Sequence, residues 1–241
     1  MQERWTLSAM RRSPGLLVGL VGFGLGIALM AQSGLGLGPW EVLNQGVGLR
    51  LGIPMGSASI LLGIPILLAW IPLRERPGPG TLLNIVLIGL STNVGLLVFP
   101  SPPADAVAVR LAELTVGILI IGVASGLYLA ADLGPGPRDG LMTGIHHRFG
   151  WSIARARLAL EVSVLGVGWL LGGTVGIGTI AFAFGIGPIV QIALGVFDRE
   201  GRVMRRRRAL DARVPARPRT GGSAAPAAAP GRGRTRALRT A

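Results

Sequence analysis

The sequence contains no cysteine and, since all its basic residues are arginine, no lysine. The absence of cysteine excludes disulfide bonds and metal sites built from thiolates. Several catalytic signatures are missing as well: zinc-protease H-E-x-x-H, nucleophile-elbow G-x-S-x-G and the Walker loop. These absences argue against a recognisable hydrolase or ATPase. We therefore expect a protein that is not an enzyme and that needs no cofactor.

Charge is also scarce over most of the chain, because the 15% of charged residues are concentrated between and after long apolar stretches. An apolar stretch of about eighteen residues or more is long enough to cross the hydrocarbon core of a bilayer as a helix. The pattern predicts an all-α, polytopic membrane protein with six transmembrane helices. The predicted spans are residues 14–33, 54–72, 81–99, 111–131, 154–171 and 176–197.

The two halves of the apolar region resemble each other. When residues 16–58 are aligned with 114–156 without a gap, 14 of 43 positions are identical. Chance similarity between apolar helices does not readily align Pro39 with Pro137 and Arg50 with Arg148 in one register. The same register also aligns a G-x-G-T cluster at 78–81 with one at 176–179. We interpret residues 14–99 and 111–197 as two copies of a three-helix repeat.

Charge asymmetry predicts the orientation of the chain. Arginines are enriched in the N-terminal segment 1–13, the loop at 74–76, the region 138–157 and the tail 198–241. Positive residues favour the cytoplasmic side of a membrane, so both termini are expected there. Because each repeat has an odd number of spans, the second repeat is then inverted relative to the first. Inverted repeats recur in secondary transporters, with the substrate site near the bilayer midplane.

A short segment follows the first span of each repeat, G-P-W-E at 38–41 and G-P-R-D at 136–139. Proline suits the first turn of a helix, glycine can precede it as the N-cap, and an acid at the third position opposes the positive end of the helix dipole. Each segment is too short to cross a bilayer and ends at a glycine, Gly52 or Gly150. Two placements fit, namely a re-entrant half-helix or an amphipathic helix lying at the interface.

Glu41 and Asp139 are the main candidates for a substrate or ion pathway, since inversion would bring them to a central cavity from opposite faces. Gly38, Pro39, Gly136 and Pro137 complete this candidate site. The alternative is that both acids only cap their helices at the membrane surface. Secondary candidates are Arg50, Arg148 and Glu161, which can also be explained as helix-end caps and, for Glu161, as a structural pair with Arg157.

The remaining features suggest few specific partners. The Arg-rich tail can contact anionic lipid, and we expect no nucleic acid to bind it. Its low content of large apolar residues predicts disorder. Small-xxx-small faces such as Gly22-x-x-x-Gly26 indicate tight helix packing and leave a homo-oligomer open. His146 and His147 are adjacent, so they point in different directions on a helix and cannot chelate one metal together.

The paired segments GLGPWEVL and GPGPRDGLM, in an all-helical chain with six predicted spans, resemble the YczE/YyaS/YitT family of bacterial membrane proteins. The resemblance covers residues 14–197 and implies a location in the bacterial inner membrane. It implies no general activity. From the residues alone we expect a transporter of a small solute or ion, with the site between the repeats. The alternative is a scaffold or regulatory protein that transports nothing.

Overall fold

The computed structural model describes residues 2–198 and residues 201, 203 and 205, with the backbone alone for 2–12. This part contains eight α-helices and no strand, which confirms the all-helical prediction. The predicted tail from 198 falls almost wholly outside the described residues. The helices are α1 Gln2–Ser33, α2 Pro39–Leu51, α3 Met55–Leu73, α4 Pro79–Val98, α5 Val107–Ala130, α6 Pro137–Phe149, α7 Ile153–Leu170 and α8 Ile177–Phe197.

Five helices are long and apolar enough to cross a membrane: α3, α4, α5, α8 and residues Ser13–Ser33 of α1. The sequence predicts a sixth span at α7. This helix has 18 residues, but Arg155, Arg157 and Glu161 lie in its N-terminal half. Three charges in so short a helix distinguish it from the five others, so spanning by α7 stays a prediction.

Helix α1 begins well before the predicted start of the first span, because the backbone is already helical from Gln2 and includes Pro14. Proline removes one hydrogen bond within a helix. The preceding residues, which include Met10 and Arg11, have high helix propensity. The helix therefore continues through a position where the sequence suggested a boundary.

Helices α1 and α5 form the centre of the fold and pack closely against each other, while α4 packs on α1 and α8 packs on α5. Glycines allow the close approach of α1 and α5. A methyl group at Gly19 would lie 2.8 Å from the backbone nitrogen of Tyr128, and one at Gly26 would lie 2.9 Å from the oxygen of Gly117. Small residues are the usual means by which membrane helices bring their backbones together.

Contacts between the two halves recur at a separation of 98 residues. The backbone nitrogen of Gly80 donates to the oxygen of Leu133 at 3.0 Å, and that of Gly178 donates to the oxygen of Leu35 at 2.8 Å. The two pairs are equivalent, because Gly178 lies 98 positions after Gly80 and Leu133 lies 98 positions after Leu35. Each half therefore provides the acceptor loop for the start of a helix in the other half.

The two short helices, α2 and α6, have the ends that the sequence predicts. Gly38 and Gly136 are the N-caps, with proline as the first helical residue. Gly52 and Gly150 end the helices in the left-handed conformation, both with φ of +66°. Glycine adopts this conformation without the steric cost that a Cβ would impose. Both short helices pack between α3 and α7.

The outer surface of the bundle is strongly apolar. Leu97, Phe184 and Leu170 are 88%, 80% and 75% exposed. Large apolar surfaces of this kind are rare on soluble monomers. The spanning helices thus present to their surroundings the surface that a lipid bilayer requires.

We predict that Gly19→Ala destabilises the protein by about 1–3 kcal/mol, because the added methyl group would overlap the backbone of α5. Gly166→Ala is the matched control, since it also lies inside a helix and a methyl group there meets nothing within 4 Å. Thermal unfolding in detergent, followed by size-exclusion chromatography, measures both. Equal melting temperatures for the two variants would contradict the close α1–α5 contact.

Candidate functional site

The N-terminal ends of α2 and α6 meet in the interior of the protein. Glu41 is only 2% exposed, and its Oε1 accepts a hydrogen bond from Nη2 of Arg138 at 2.5 Å. This ion pair joins the third residue of α2 to the second residue of α6. It is therefore a direct link between the two halves of the chain.

Arg138 also lies against an aromatic ring. Its guanidinium carbon is 5.1 Å from the centre of the Trp40 ring, a distance at which the π face attracts a cation. The side chain of Arg138 is 26% exposed, compared with 3% for that of Glu41. The carboxylate is thus buried behind the guanidinium, which keeps an accessible surface.

A second cluster of polar side chains lies around the start of α6. The hydroxyl of Tyr128 donates a hydrogen bond to the carboxylate of Asp139. A methyl group at Gly136 would lie 3.2 Å from Asp139 Oδ2, 3.4 Å from the Tyr128 oxygen and 3.8 Å from Asn84 Nδ2. The N-cap glycine therefore leaves room for polar side chains from α4, α5 and α6 to converge.

The position of α6 depends on Trp70 of α3. The ring of Trp70 lies directly over Gly140, where any side chain would overlap it, and its Nε1 donates to the oxygen of Pro137 at 3.1 Å. Trp70 is 1% exposed. The equivalent contact in the other half has the large and small residues exchanged. Gly168 of α7, which lies 98 positions after Trp70, packs against Val42 of α2, which lies 98 positions before Gly140.

The start of α2 is enclosed more tightly than the start of α6. A methyl group at Gly38 would lie 2.6 Å from Glu41 Oε2 and 2.8 Å from the ring of Phe182. Neither Glu41 Oε2 nor the indole Nε1 of Trp40 has a hydrogen-bond partner within the described part of the chain, although both atoms are buried. Such buried polar atoms are rare, because each loses its hydrogen bonds to water.

A cavity of about 290 Å³ lies beside these groups and is lined by residues from all eight helices. Most of its wall is aliphatic or aromatic and includes Ile88, Ile121 and Ile186. The polar side chains of the wall include Asn44, Asn84, Tyr128, Arg138, Asp139, Arg157, Glu161 and Gln191. This volume and lining fit a small solute with an apolar body, fixed by a few polar groups.

The structure brings together most of the predicted site residues. Pro39, Gly136, Pro137 and Asp139 line the cavity, whereas Glu41 and Gly38 lie just behind its wall, against Arg138 and Phe182 respectively. The alternative of acids that only cap their helices does not describe Glu41, because its carboxylate pairs with the other half of the chain.

The secondary candidates are divided between the cavity and the surface. Glu161 lines the cavity and accepts from Arg157 at 2.8 Å, which is the structural pair proposed from the sequence. Arg50 is exposed at the end of α2 and donates to the oxygen of Leu171 at 3.3 Å. Arg148 is exposed at the end of α6. Neither arginine lines the cavity.

Sequence reasoning did not single out Arg138, which pairs with Glu41, or Trp40, whose ring lies against Arg138. A signal was available, because these two residues occupy equivalent positions in G-P-R-D and G-P-W-E. A guanidinium and an indole at equivalent positions of two matching segments suggest a stacked pair. Tyr128 and Asn84 carried a weaker signal as isolated polar residues within apolar helices.

The described residues contain no cluster of three or more His, Asp or Glu side chains suited to a metal ion. The polar groups that line the cavity are guanidinium, carboxylate, amide and hydroxyl groups. These groups can bind a polar or charged end of a solute while the apolar wall holds the remainder.

Comparison with known proteins gives a consistent family relationship. A family model described as "Family of unknown function (DUF6198)" matches residues 10–194. An uncharacterized protein of Haemophilus influenzae is 44% identical over 184 residues, covering 76% of this chain and 84% of the relative. The uncharacterized membrane protein YczE of Bacillus subtilis is 31% identical over 194 residues, covering 79% and 85%.

The uncharacterized protein YyaS of Bacillus subtilis is 24% identical over 184 residues, covering 76% of this chain and 92% of the relative. No solved structure matches the chain. The resemblance to YczE and YyaS that the paired G-P segments suggested is confirmed. The description of YczE as a membrane protein is consistent with the long apolar helices of this chain. None of these relatives has a name that states an activity.

We predict that Arg138→Gln destabilises the protein by about 3–5 kcal/mol, because it leaves the buried Glu41 carboxylate without a counter-charge. The double variant Glu41→Gln/Arg138→Gln should lose much less. Arg157→Gln is the control, since its pair is half exposed and should contribute less than about 1 kcal/mol. Unfolding of all three variants in detergent gives the comparison. A loss in the double variant as large as that in Arg138→Gln would contradict a coupled, buried pair.

Proposed function

We propose that this chain, which belongs to the family of unknown function DUF6198, is a secondary transporter and not an enzyme. A small solute or ion binds in the cavity beside Arg138 and Asp139 and crosses the membrane there. The observation that carries this proposal is the cavity itself, whose wall takes residues from all eight helices and places charged groups among apolar ones. Charged groups inside a membrane protein are costly and are usually retained for function.

The second part of the proposal is that the fold is a 3+3 inverted repeat with six spans, α7 being the sixth. The contacts that recur at a separation of 98 residues support it, because each half supplies the same contact to the other. In transporters built this way, rocking of one repeat against the other exposes a central site to the two sides alternately.

The third part concerns α2 and α6, which we take to be re-entrant half-helices and not interfacial ones. Pro39 and Pro137, at their N-terminal ends, are buried, while Arg50 and Arg148 at their C-terminal ends are exposed. A helix lying along an interface would expose one face over its whole length. Half-helices whose N-termini point into the protein supply the positive dipole ends that transporter sites use.

The orientation follows the charge distribution. We propose a location in the bacterial inner membrane with both termini in the cytoplasm, since the arginines near the N-terminus, in the loop at 74–76 and after Asp198 favour that side. The C-terminal end of α6 then faces the cytoplasm and that of α2 faces outward. A scaffold protein without transport activity is the competing function, and it predicts no solute flux.

We predict that vesicles reconstituted with the protein accumulate at least one component of a mixture of small amino acids, carboxylates, amines and sugars, as measured by mass spectrometry. Glu41→Gln/Asp139→Asn should abolish this accumulation while insertion is retained. Glu75→Gln is the control, because Glu75 pairs with His147 away from the cavity. If no solute accumulates beyond the level of protein-free vesicles, the scaffold function is favoured.

We predict that Arg50→Cys and Arg148→Cys are labelled from opposite sides of the cell membrane. Both positions are exposed, and the natural chain has no cysteine to interfere. A membrane-impermeant maleimide should react in intact cells with the cysteine at 50, and with the cysteine at 148 only after the membrane is opened. Labelling of both from the same side would refute the inverted repeat.

A further inference from the structure

The Glu41 carboxylate has only half of its hydrogen-bonding capacity satisfied. Oε1 accepts from Arg138, but Oε2 is buried and has no partner among the described residues. A buried carboxylate normally has both oxygens in use, or it carries a proton. Oε2 is therefore a position where a proton can bind without displacing an existing hydrogen bond.

Arg138 faces the other way. It lines the cavity and a quarter of its side chain is exposed. A guanidinium has five N–H donors, and the described part of the chain uses one nitrogen, Nη2, to reach Glu41. The remaining donors leave room for a bidentate interaction with the two oxygens of a small anion.

The order of the two charges decides which ion the site attracts. Glu41 is absent from the cavity lining, whereas Arg138 is part of it. A solute that enters the cavity thus reaches the guanidinium before it reaches the carboxylate. An anion can bind Arg138 directly, but a cation could reach Glu41 only after Arg138 moved aside.

Binding of an anion has a consequence for Glu41. The anion competes for the positive charge that compensates the buried carboxylate. Water can compensate the charge of Glu41 only weakly, because the residue is 2% exposed and its Oε2 lies near Gly38 and Phe182. A buried carboxylate that loses its counter-ion becomes neutral by taking up a proton.

We propose that the cavity binds a small organic anion, a carboxylate or sulfonate with a short apolar body, on Arg138, and that Glu41 takes up one proton from the solution for each anion bound. The proton forms an O–H bond on the carboxylate, and the guanidinium exchanges Glu41 for the anion. The charges of the anion and the proton cancel, so the loaded site has the same net charge as the empty one. This inference rests on the proposed transport site and adds its substrate class and coupling ion.

The other charged groups around the cavity do not offer the same exchange. Asp139 is itself part of the lining and accepts from the hydroxyl of Tyr128, so its carboxylate does not lie behind a guanidinium as that of Glu41 does. Arg157 and Glu161 pair within α7 and are 51% and 28% exposed, so solvent can compensate either of them. Helices α1, α3, α4 and α8 contribute only uncharged residues to the lining.

The test uses two probes of similar size and opposite permanent charge, butane-1-sulfonate and butyltrimethylammonium. Calorimetric titration of the full-length protein in detergent, in buffers with different ionisation enthalpies, counts the protons taken up on binding. We expect the sulfonate to bind with uptake of one proton. Its affinity should fall about tenfold for each rise of one pH unit over the range where that uptake holds.

Two variants separate the roles of the pair. Glu41→Gln should bind butane-1-sulfonate without proton uptake and with an affinity that does not change with pH. Glu41→Gln/Arg138→Gln leaves no buried carboxylate behind and should lose sulfonate binding by at least tenfold. Glu75→Gln should behave as the natural protein does, because Glu75 pairs with His147 away from the cavity.

Two results would contradict anion binding: no binding of alkane sulfonates of two to about six carbons at millimolar concentration, or binding of butyltrimethylammonium instead. Two further results would contradict the role of Glu41: sulfonate binding without proton uptake, or a pH dependence of sulfonate affinity that persists in Glu41→Gln. The test is independent of transport, since it needs no membrane. Proton-coupled binding without flux in vesicles would support this inference and contradict the transporter. Flux of a cation alone would support the transporter and contradict this inference.

Discussion

The buried carboxylate of Glu41 is the constraint on which the centre of this protein depends. A charge removed from water must be compensated by an opposite charge and by hydrogen bonds, or it becomes neutral. Arg138 supplies that charge from the other half of the chain. The pair therefore stabilises the protein only when α2 and α6 meet end to end, and any movement that separates the halves must deal with the charge of Glu41. The ion pair of Glu41 and Arg138 therefore links the packing of the two halves to any movement between them.

Glycine supplies the complementary geometric condition. Without a Cβ, Gly38 admits the Glu41 carboxylate and Gly140 admits the ring of Trp70, so two short helices can begin deep within the bundle. The backbone hydrogen bonds of Gly80 and Gly178 to Leu133 and Leu35 hold the adjoining loops in place. Irregular backbone of this kind survives inside a membrane protein only where protein groups satisfy it.

The sequence predicted the helices well because apolar length and Gly-Pro boundaries are local properties. The ends of α2 and α6 were predicted from Gly38, Gly52, Gly136 and Gly150, whose conformational role depends on their immediate neighbours. The pairing of Glu41 with Arg138 could not be predicted in this way, since it depends on how two segments 97 residues apart approach in space. The membrane-spanning role of α7 could not be decided from the sequence either, because its three charged residues interrupt an otherwise apolar helix.

Positions that lie 98 residues apart in the sequence differ in chemistry where the two halves meet. Trp40 stands where the second half has Arg138, and Phe182 stands where the first has Asn84. An exact repeat would place two like charges or two like rings at the junction, and like charges there would repel. Divergence at these positions converts the junction into a cation that stacks on an indole and pairs with a carboxylate. The junction thus has a partly exposed cation on the α6 side and a buried carboxylate on the α2 side, a separation of charges that two identical segments could not provide.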